Sequence, residues 1–461
     1  MRPKGQPRTK KAVSLWLMRR ILFLLCCVVP LWAAAQNTLG ALNSLHQVEK
    51  GETLWGIAHR YGVAEEAILK ANPEIKKNKV KKGMLLVIPP AEVPSIEMPP
   101  VVEEVAPEPV DLTLRVGVLL PLEDKNERAA KLVEFYQGLL MAVDSVKSEG
   151  ADVEVYAYHS GTTAEAMQEV LRHDALKQMS LIFGPADAAQ IAPLANFCQT
   201  NGVRLVLPFA NNFDLSGQPL VYAATAGYAM VQQDAARMIA QRYPERNYVV
   251  LNTNNADTRG NQFVTALREE LSAKGIAMRS LNIEGDDFAI EAALNQFRQN
   301  CIVPDNTNIR TLNVLFSRLS AFCAEHPEYK ISVQGYPEWQ TYTSSQLLDF
   351  YKFDTYIYSP YYRNPLLAQT EDFEQRFSAN FRHPQSLTFP RYGMMGFDMG
   401  YYFLHGLRQL GHNFDTQQEN MNFKPVQHAF HFARLGEGNG FVNHGMQLIH
   451  YTPEQTIKQI R

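Results

Sequence analysis

The chain has 461 residues, which is too long for a single compact domain and predicts two or three. Its content of 46% hydrophobic and 20% charged residues is ordinary for a globular protein. The formal net charge of −3 argues against nucleic-acid binding, for which a basic face would be expected.

Basic residues concentrate at the N-terminus, ahead of an apolar run over 21–32 and the small residues 33–35. This order predicts a secretory signal peptide over residues 1–35, cleaved at an A-x-A site. The apolar run is too short for a comfortable membrane span. Cys26 and Cys27 lack the small preceding residues that a lipid-anchor site needs. We therefore expect a periplasmic protein without a membrane span after cleavage.

Residues 45–90 show the pattern of a small βααβ module. A strand is predicted near 46–48 and a second one at Leu85–Ile88, with two helices between them. Thr53 is placed to cap the first helix, because its hydroxyl can accept from the free N–H groups of the next turn. Asn72-Pro73 is a stop signal for the second helix, which starts near Ala64.

This module resembles the LysM domain, a unit that binds N-acetylglucosamine-containing glycans such as peptidoglycan. The resemblance is carried by Val48, Gly51-Glu52-Thr53-Leu54, Ile57-Ala58, Tyr61-Gly62-Val63, Ile68, Asn72-Pro73, Gly83 and Leu85-x-x-Ile88-Pro89. It implies a shallow glycan groove between the first turn and the loop after the second helix. The residues expected to contact the sugar are Gly51, Glu52, Thr53, Leu54, Asn72, Pro73 and Ile75. Trp55 and Ile57 are expected to pack in the core of the module instead.

Residues 91–111 have the composition of a tether. From residue 89 to residue 110 the chain has seven prolines, five glutamates and no basic residue. Such a segment is extended and self-repelling, and it cannot form a core.

From residue 112 onward, short apolar strands alternate with amphipathic helices, among them predicted helices over 164–178 and 288–299. Repeated βα units predict an α/β architecture of parallel sheets covered by helices on both faces. About 350 residues exceed one such sheet, which predicts two lobes.

The order of the motifs in this part resembles the type I periplasmic-binding-protein fold, in the branch that includes branched-chain amino-acid receptors. The matching pieces are Val116-Gly-Val-Leu-Leu-Pro-Leu, Leu181-Ile-Phe-Gly-Pro, Val206-Leu-Pro-Phe-Ala-Asn-Asn, Tyr222-Ala-Ala-Thr-Ala-Gly-Tyr, Tyr248-Val-Val-Leu-Asn, Ser359-Pro-Tyr-Tyr and Tyr392-Gly-Met-Met-Gly-Phe-Asp. The resemblance implies three crossings between the lobes. We place lobe one at about 112–222 and 360–433, and lobe two at about 223–359 and 434–461.

A ligand of such sheets binds beyond the carboxyl ends of the strands. The candidate residues for this cleft are Asp187, Asn211, Tyr228, Tyr336, Tyr361 and Tyr362. In amino-acid-binding relatives, hydroxyl residues capture the ligand at two strand ends where this sequence has Ala186-Asp187-Ala188 and Ala210-Asn211. This difference argues against amino-acid binding. Asp187 has the alternative role of a helix N-cap, and Asn211 that of an Asx-turn residue.

No common catalytic, nucleotide-binding or metal-binding motif occurs in the sequence, so we expect no catalytic residues, no metal and no cofactor. His428 and His431 are expected in the core or on the surface. Cys198 is expected to be a buried free thiol, whereas Cys301 and Cys323 are the pair from which one disulfide could form.

The sequence favours a non-catalytic envelope protein that binds peptidoglycan and carries a receptor-like domain for a small solute or an envelope protein partner. The alternative is the solute-binding protein of an ABC transporter for amino acids or wall peptides. A cell-wall hydrolase is the less favoured third hypothesis.

Overall fold

The computed structural model describes residues 44–61, 63–76, 78–89, 113–209 and 213–461. These form two compact units, a module over 44–89 and a body over 113–461. The predicted signal peptide and tether lie outside the described residues. Within the described ranges, no helix combines the length and hydropathy that a membrane crossing requires.

The module has the predicted βααβ order, with β1 (Ser44–Gln47), α1 (Leu54–Tyr61), α2 (Glu65–Ala71) and β2 (Leu85–Ile88). The two strands are antiparallel, with His46 opposite Leu86. The two helices close one small core against this sheet, formed by Val48, Leu54, Ile57, Ala58, Ile68, Ile75, Leu86 and Ile88.

Helix α1 begins as predicted, because the Gly56 N–H donates to Thr53 Oγ1 at 3.1 Å. Ile57 is in the core as expected, but the prediction for Trp55 is wrong, since its side chain is 65% exposed. The core side of α1 is taken by Leu54, Ile57 and Ala58, at the spacing of one helical face. Trp55 lies off that face and stacks on His59, with ring centroids 5.3 Å apart.

The body alternates strands and helices along its whole length. The strands are β3 Leu114–Leu120, β4 Val153–His159, β5 Leu181–Phe183, β6 Arg204–Leu207, β7 Val221–Ala223, β8 Asn247–Asn252, β9 Arg279–Asn282, β10 Asn300–Pro304, β11 Ile331–Gly335, β12 Thr355–Ser359, β13 Phe432–Arg434, β14 Phe441–Asn443, β15 Gln447–Tyr451 and β16 Ile457–Ile460. The α-helices are α3 Glu127–Ser148, α4 Ala164–Val170, α5 Ile191–Asn201, α6 Tyr228–Arg242, α7 Thr258–Ser272, α8 Asp287–Ala293, α9 Ile309–Glu325, α10 Thr343–Lys352, α11 Ala368–Phe381, α12 Tyr392–Leu410 and α13 Phe414–Gln417.

Two seven-stranded sheets define the two lobes. Lobe one has the order β13-β14-β7-β6-β5-β3-β4, and lobe two has the order β16-β15-β12-β11-β10-β8-β9. Most neighbouring strands are parallel. The antiparallel pairs are β13 with β14 in lobe one, and β12 with β15 and β15 with β16 in lobe two. In β3, Val118 and Leu119 enter cores on opposite faces of the sheet, so helices cover both faces. The predicted two-lobed α/β architecture is confirmed.

One of the expected lobe boundaries is corrected by the sheet order. The hairpin of β13 and β14 pairs with β7 through Phe441 opposite Tyr222, so residues 434–443 belong to lobe one. The third crossing therefore lies at 444–446, not at 434. The other two crossings follow β7 and β12.

The predicted helix over 288–299 ends early, at Ala293, and the next strand, β10, is central in lobe two. The Asn300 side chain fixes the loop between α8 and β10. Its Oδ1 accepts from the Asn295 N–H at 2.8 Å, and its Nδ2 donates to the Asn295 carbonyl at 2.9 Å. The predicted helix over 164–178 is likewise interrupted after Val170 and continues as a 3-10 turn at Asp174–Gln178.

Candidate functional site

The first turn of the module is organised by the carboxylate of Glu52. It accepts from the Glu49 N–H at 2.8 Å, lies 2.8 Å from the His46 ring nitrogen Nε2 and pairs with Arg60 at 2.8 Å. The Glu49 N–H, and after it the His46 ring, lower the pKa of this carboxyl below its ordinary value. Glu52 therefore holds the turn through its side chain, and both of its carboxylate oxygens already have partners within the module.

The loop after α2 is held by Asn72, whose side chain is buried. Its Nδ2 donates to the carbonyls of Ile68 and Val87 at 2.7 Å, and its Oδ1 accepts from the Val87 N–H at 2.7 Å. The two edges of the predicted groove are thus fixed by side chains of the groove residues themselves.

The structure divides the predicted glycan contacts into inner and outer residues. The side chains of Leu54, Asn72 and Ile75 are buried, and Glu52 is half-buried. The exposed residues are Gly51, Thr53 and Pro73. Gly51 has φ of +96°, a backbone conformation that favours glycine in the tight turn after β1.

In lobe one, the candidate Asp187 is paired with an arginine. Arg128 Nη1 lies 2.9 Å from Asp187 Oδ1, and Arg128 Nη2 donates to the Ala186 carbonyl at 2.8 Å. Asp187 precedes the 3-10 turn at Ala188–Gln190, but its side chain makes no capping hydrogen bond, so the N-cap alternative is wrong. Asn211 lies outside the described residues.

In lobe two, the candidate Tyr228 belongs to a group that sequence reasoning missed. Its hydroxyl donates to Glu338 Oε1 at 3.1 Å, and the same oxygen is paired with Arg259. The Arg259 guanidinium also lies 4.7 Å from the centre of the Tyr228 ring, at cation–π distance. Burial, followed by the Glu338 charge, raises the pKa of Tyr228. Glu338 follows β11, and its place at a strand end was the available signal.

The prediction that Tyr336 lines the cleft is wrong. Its side chain is fully buried in the core of lobe two, where its hydroxyl donates to the Pro304 carbonyl. Its ring packs edge-on against Phe263 and Tyr358, with centroids 5.5 Å and 6.0 Å apart. A position directly after a buried strand is here used for packing, because the bulky ring fills the space under α7.

Tyr361 lines a cavity of about 270 Å³ between the lobes, which we call the hinge cavity. All three crossings contribute to it, and its walls include Ala224, Thr225, Asp234, Tyr361, Tyr392, His428, His444 and Met446. On its polar side, His444 Nδ1 lies 2.7 Å from Asp234 Oδ2. Burial raises the pKa of Tyr361 to about 12.

Tyr362 lines a different space, which we call the lateral groove. This groove of about 410 Å³ lies between α10 of lobe two and the segments 362–365 and 388–391 of lobe one. Tyr228 lines neither the hinge cavity nor the lateral groove. The structure thus brings Tyr361 and Tyr362 to opposite sides of one crossing segment, and it does not gather the six cleft candidates into one site.

Other reactive groups in the body are separate from these spaces. Across the described ranges, no group of three or more His, Cys, Asp or Glu side chains is arranged to hold a metal ion. Cys198, Cys301 and Cys323 are free thiols, so no bond joins Cys301 to Cys323. Cys198 is fully buried, as expected.

Comparison with known proteins identifies residues 46–89 as a LysM domain. Comparison with curated proteins found no match. A structure from Rhodospirillum rubrum, described as a branched-chain amino acid ABC transporter, matches with 13% identity and a TM-score of 0.52. The match covers 76% of this chain and 100% of that chain.

An ABC transporter substrate-binding protein of Desulfitobacterium hafniense, in complex with Leu, matches with 14% identity and a TM-score of 0.40 over 76% of this chain and 100% of that chain. At these identities a likeness concerns the fold alone. The Rhodospirillum rubrum structure supports the type I periplasmic-binding-protein fold for the body.

Proposed function

We propose that the protein is a non-catalytic component of the cell envelope that binds peptidoglycan through residues 46–89. The observation that carries the proposal is the LysM match, with the groove edges held by Glu52 and Asn72. The signal peptide and tether expected from the sequence support a periplasmic location close to the wall.

The proposed glycan contacts are the backbone of residues 51–53 and 72–73, together with the exposed side chains of Thr53 and Pro73. An N-acetyl group offers one hydrogen-bond donor and one acceptor, which exposed backbone groups can match. Four further side chains hold the turn after β1 and the loop after α2 in place and do not contact the sugar themselves. They belong to Glu52, Leu54, Asn72 and Ile75.

We further propose that the body binds a partner or a ligand other than a free amino acid. Two acidic side chains near the strand ends, Asp187 and Glu338, already have cationic partners in Arg128 and Arg259. An ammonium group would have to displace an arginine, and the displaced guanidinium would lose a charge-assisted hydrogen bond. This arrangement supports docking or an unusual ligand over an amino-acid receptor.

Sedimentation with insoluble murein tests the first proposal. The full chain should sediment with purified murein, and a variant without residues 46–89 should remain in the supernatant. Thr53→Asp keeps a capping oxygen but adds a charge at a proposed contact, so it should weaken binding several-fold. Asn78→Asp, which adds the same charge at an exposed turn, is the matched control and should bind like the wild type. Sedimentation that does not depend on residues 46–89 would contradict the proposal.

The hinge cavity supports a second candidate function, that of a solute-binding protein for an ABC transporter. A ligand that contacts both lobes stabilises their closed arrangement and raises the melting temperature. Thermal-shift screening of the full chain against amino acids and muropeptides separates the two functions. A saturable rise in the melting temperature of the body's transition with one of these compounds indicates a receptor, and no such rise with any of them favours docking. Incubation with purified sacculi should release no soluble fragments.

A further inference from the structure

The lateral groove is built by both lobes and shares no lining residue with the hinge cavity. Lobe two supplies α10 and the ends of β15 and β16. Lobe one supplies the segment that precedes α12 and the chain that leaves β12. The lining residues that matter here are Leu347, Tyr362, Thr388, Phe389, Arg391 and Tyr451.

Two arginines of lobe one line the groove, but only one of them has a carboxylate partner. Arg363 Nε and Nη2 donate to the two oxygens of Glu374 at 2.6 Å and 2.8 Å. Arg391 donates to the Ser386 carbonyl at 2.6 Å, and no Asp or Glu of the described ranges lies within ion-pair distance of it. The groove therefore carries a cation without a direct counter-ion.

The surroundings of Arg391 leave its charge incompletely compensated. Burial and then the Arg363 guanidinium lower its pKa, while the more distant charges of Glu374 and Glu134 act in the opposite direction. An anion bound in the groove would relieve both unfavourable effects.

Arg391 is held in place by its own backbone. Its N–H donates to Gln427 Oε1 at 3.0 Å, and its carbonyl accepts from Gln427 Nε2 at 3.2 Å. Gln427 is anchored in turn, because its N–H donates to the fully buried Asp398 at 2.8 Å. A guanidinium on a fixed backbone is preorganised for a ligand.

A second polar group in the groove lacks a partner. The Thr388 hydroxyl oxygen is buried and makes no hydrogen bond. A buried hydroxyl without a partner is costly, so it is the kind of group that a bound ligand satisfies. Arg391 and Thr388 both offer donors, and they are three residues apart on the same segment.

The rest of the wall is mainly apolar. Leu347, Phe389 and Tyr451 line it, and the nearby Leu348 and Leu387 are 75% and 90% exposed. No lining residue is acidic, and both oxygens of the nearby Glu374 are already used by Arg363. The groove thus has donors for an anion and an apolar surface, but no acidic lining residue to pair with an ammonium group.

We propose that the lateral groove binds a carboxylate on an apolar body whose amine is acylated, which is the chemistry of an N-acylated amino acid or of the last residue of a peptide. The carboxylate accepts from Arg391 and from the Thr388 hydroxyl, and the apolar side chain packs against Leu347 and Phe389. Because the walls come from both lobes, the ligand holds the lobes in one arrangement. This inference concerns the body alone and does not depend on murein binding by residues 46–89.

Calorimetric titration of the full chain tests the site with three matched probes: N-acetylleucine, N-acetylleucinamide and leucine. N-acetylleucine should bind saturably. N-acetylleucinamide, which lacks the carboxylate, and leucine, which carries a free ammonium, should each bind at least about ten-fold more weakly. Acetyl-Ala-Ala-Leu distinguishes the two sources of this chemistry. Binding as tight as that of N-acetylleucine indicates a peptide end, and loss of binding indicates a single acylated residue.

Two variants locate the binding. Arg391→Gln should weaken N-acetylleucine binding about ten-fold, since it removes the charge. Thr388→Val keeps the side-chain shape and should weaken it about three-fold, and it retains the test if Arg391→Gln folds poorly. Arg172→Gln, at an arginine with a 75% exposed side chain on lobe one, is the control and should bind like the wild type.

The inference is overturned if N-acetylleucine does not bind, or if the acid and the amide bind equally. It is also overturned if Arg391→Gln and Thr388→Val both bind like the wild type, because the ligand then lies elsewhere. None of these results bears on murein sedimentation, so the two proposals fail separately.

Discussion

Asn72 shows how a residue of the proposed glycan groove can position a loop while its own side chain stays buried. Its amide spans the gap between the end of α2 and strand β2, where it replaces a missing backbone pairing with both a donor and an acceptor. The loop that follows, with the exposed Pro73, is therefore placed by a residue beneath it.

Asn72→Ala should lower the stability of the module by about 1–3 kcal/mol, because the Val87 N–H loses its acceptor in a partly buried position. Urea unfolding of residues 36–90, followed by circular dichroism, measures the effect. Lys79→Ala, at an exposed position in the same unit, is the control. An unchanged unfolding midpoint for Asn72→Ala would contradict a stabilising role for this side chain.

Glu52 predicts how the module responds to acid. The folded state lowers the pKa of this carboxyl below its ordinary value of 4.5, so the associated stability is present above that value and is lost as the pH falls through the folded pKa. In Glu52→Gln, the melting temperature of residues 36–90 should fall less between pH 6 and pH 3 than it does in the wild type. Glu66→Gln, on α2 and exposed, should keep the acid sensitivity of the wild type.

At the residue scale, the sequence motif predicted seven glycan contacts, but not which of these residues are buried. Gly51 and Thr53 carry local signals, a tight turn and a capping hydroxyl, that can be read from neighbouring residues. The role of Asn72 depends on Val87, which is distant in the chain and follows from folding alone. The pairs of Arg128 with Asp187 and of Arg259 with Glu338 were not predicted for the same reason.

At the scale of elements, helices α3 and α12 of lobe one cross at unusually short distance. A Cβ added to Gly138 would lie 1.8 Å from the Gly393 carbonyl oxygen, and one added to Gly396 would lie 1.9 Å from the Phe135 carbonyl oxygen. The two backbones therefore touch through glycines, and α12 carries the positioned Arg391 at its N-terminal side.

Gly396→Ala should destabilise the body by about 1–3 kcal/mol, because the added methyl group pushes α12 away from α3 in a closely packed core. Guanidinium unfolding of the full chain measures the change. Lys147→Ala, at an exposed position of α3, is the control. Equal stability of Gly396→Ala and wild type would show that the helices can separate without cost.

Elements with a strong period were predictable, and short central strands were not. The βα alternation was predicted over the whole body, whereas no strand was predicted at β10, directly after the predicted helix over 288–299. Its start at Asn300 has a polar side chain that closes a loop, so the pattern gave no strand signal there. Tyr336 follows a buried strand, but only the surrounding rings explain its burial.

At the scale of the whole molecule, two separately compact units predict two unfolding transitions. Asn72→Ala should shift only the transition of the module, and Gly396→Ala only that of the body. Hydrogen-exchange mass spectrometry of the full chain in increasing urea resolves the two by peptide. A common shift of both transitions by either substitution would contradict independent unfolding.

The two-lobed fold was predictable because βα alternation persists over the whole body. The lobe boundary was misplaced because β13 and β14 are three residues each, and their membership of a sheet depends on pairing with β7. A pattern of a few residues can identify a strand, but it does not identify the strand with which it pairs.

The three cysteines of the body remain unpaired, with two of them buried inside separate lobes. Burial raises the pKa of Cys198 and Cys301, which suppresses the thiolate that oxidants attack. Folding of the body thus requires no disulfide oxidase or disulfide isomerase. The same native body should form in a reducing cytosol as in an oxidising compartment, which makes ordinary cytosolic expression suitable for every experiment above.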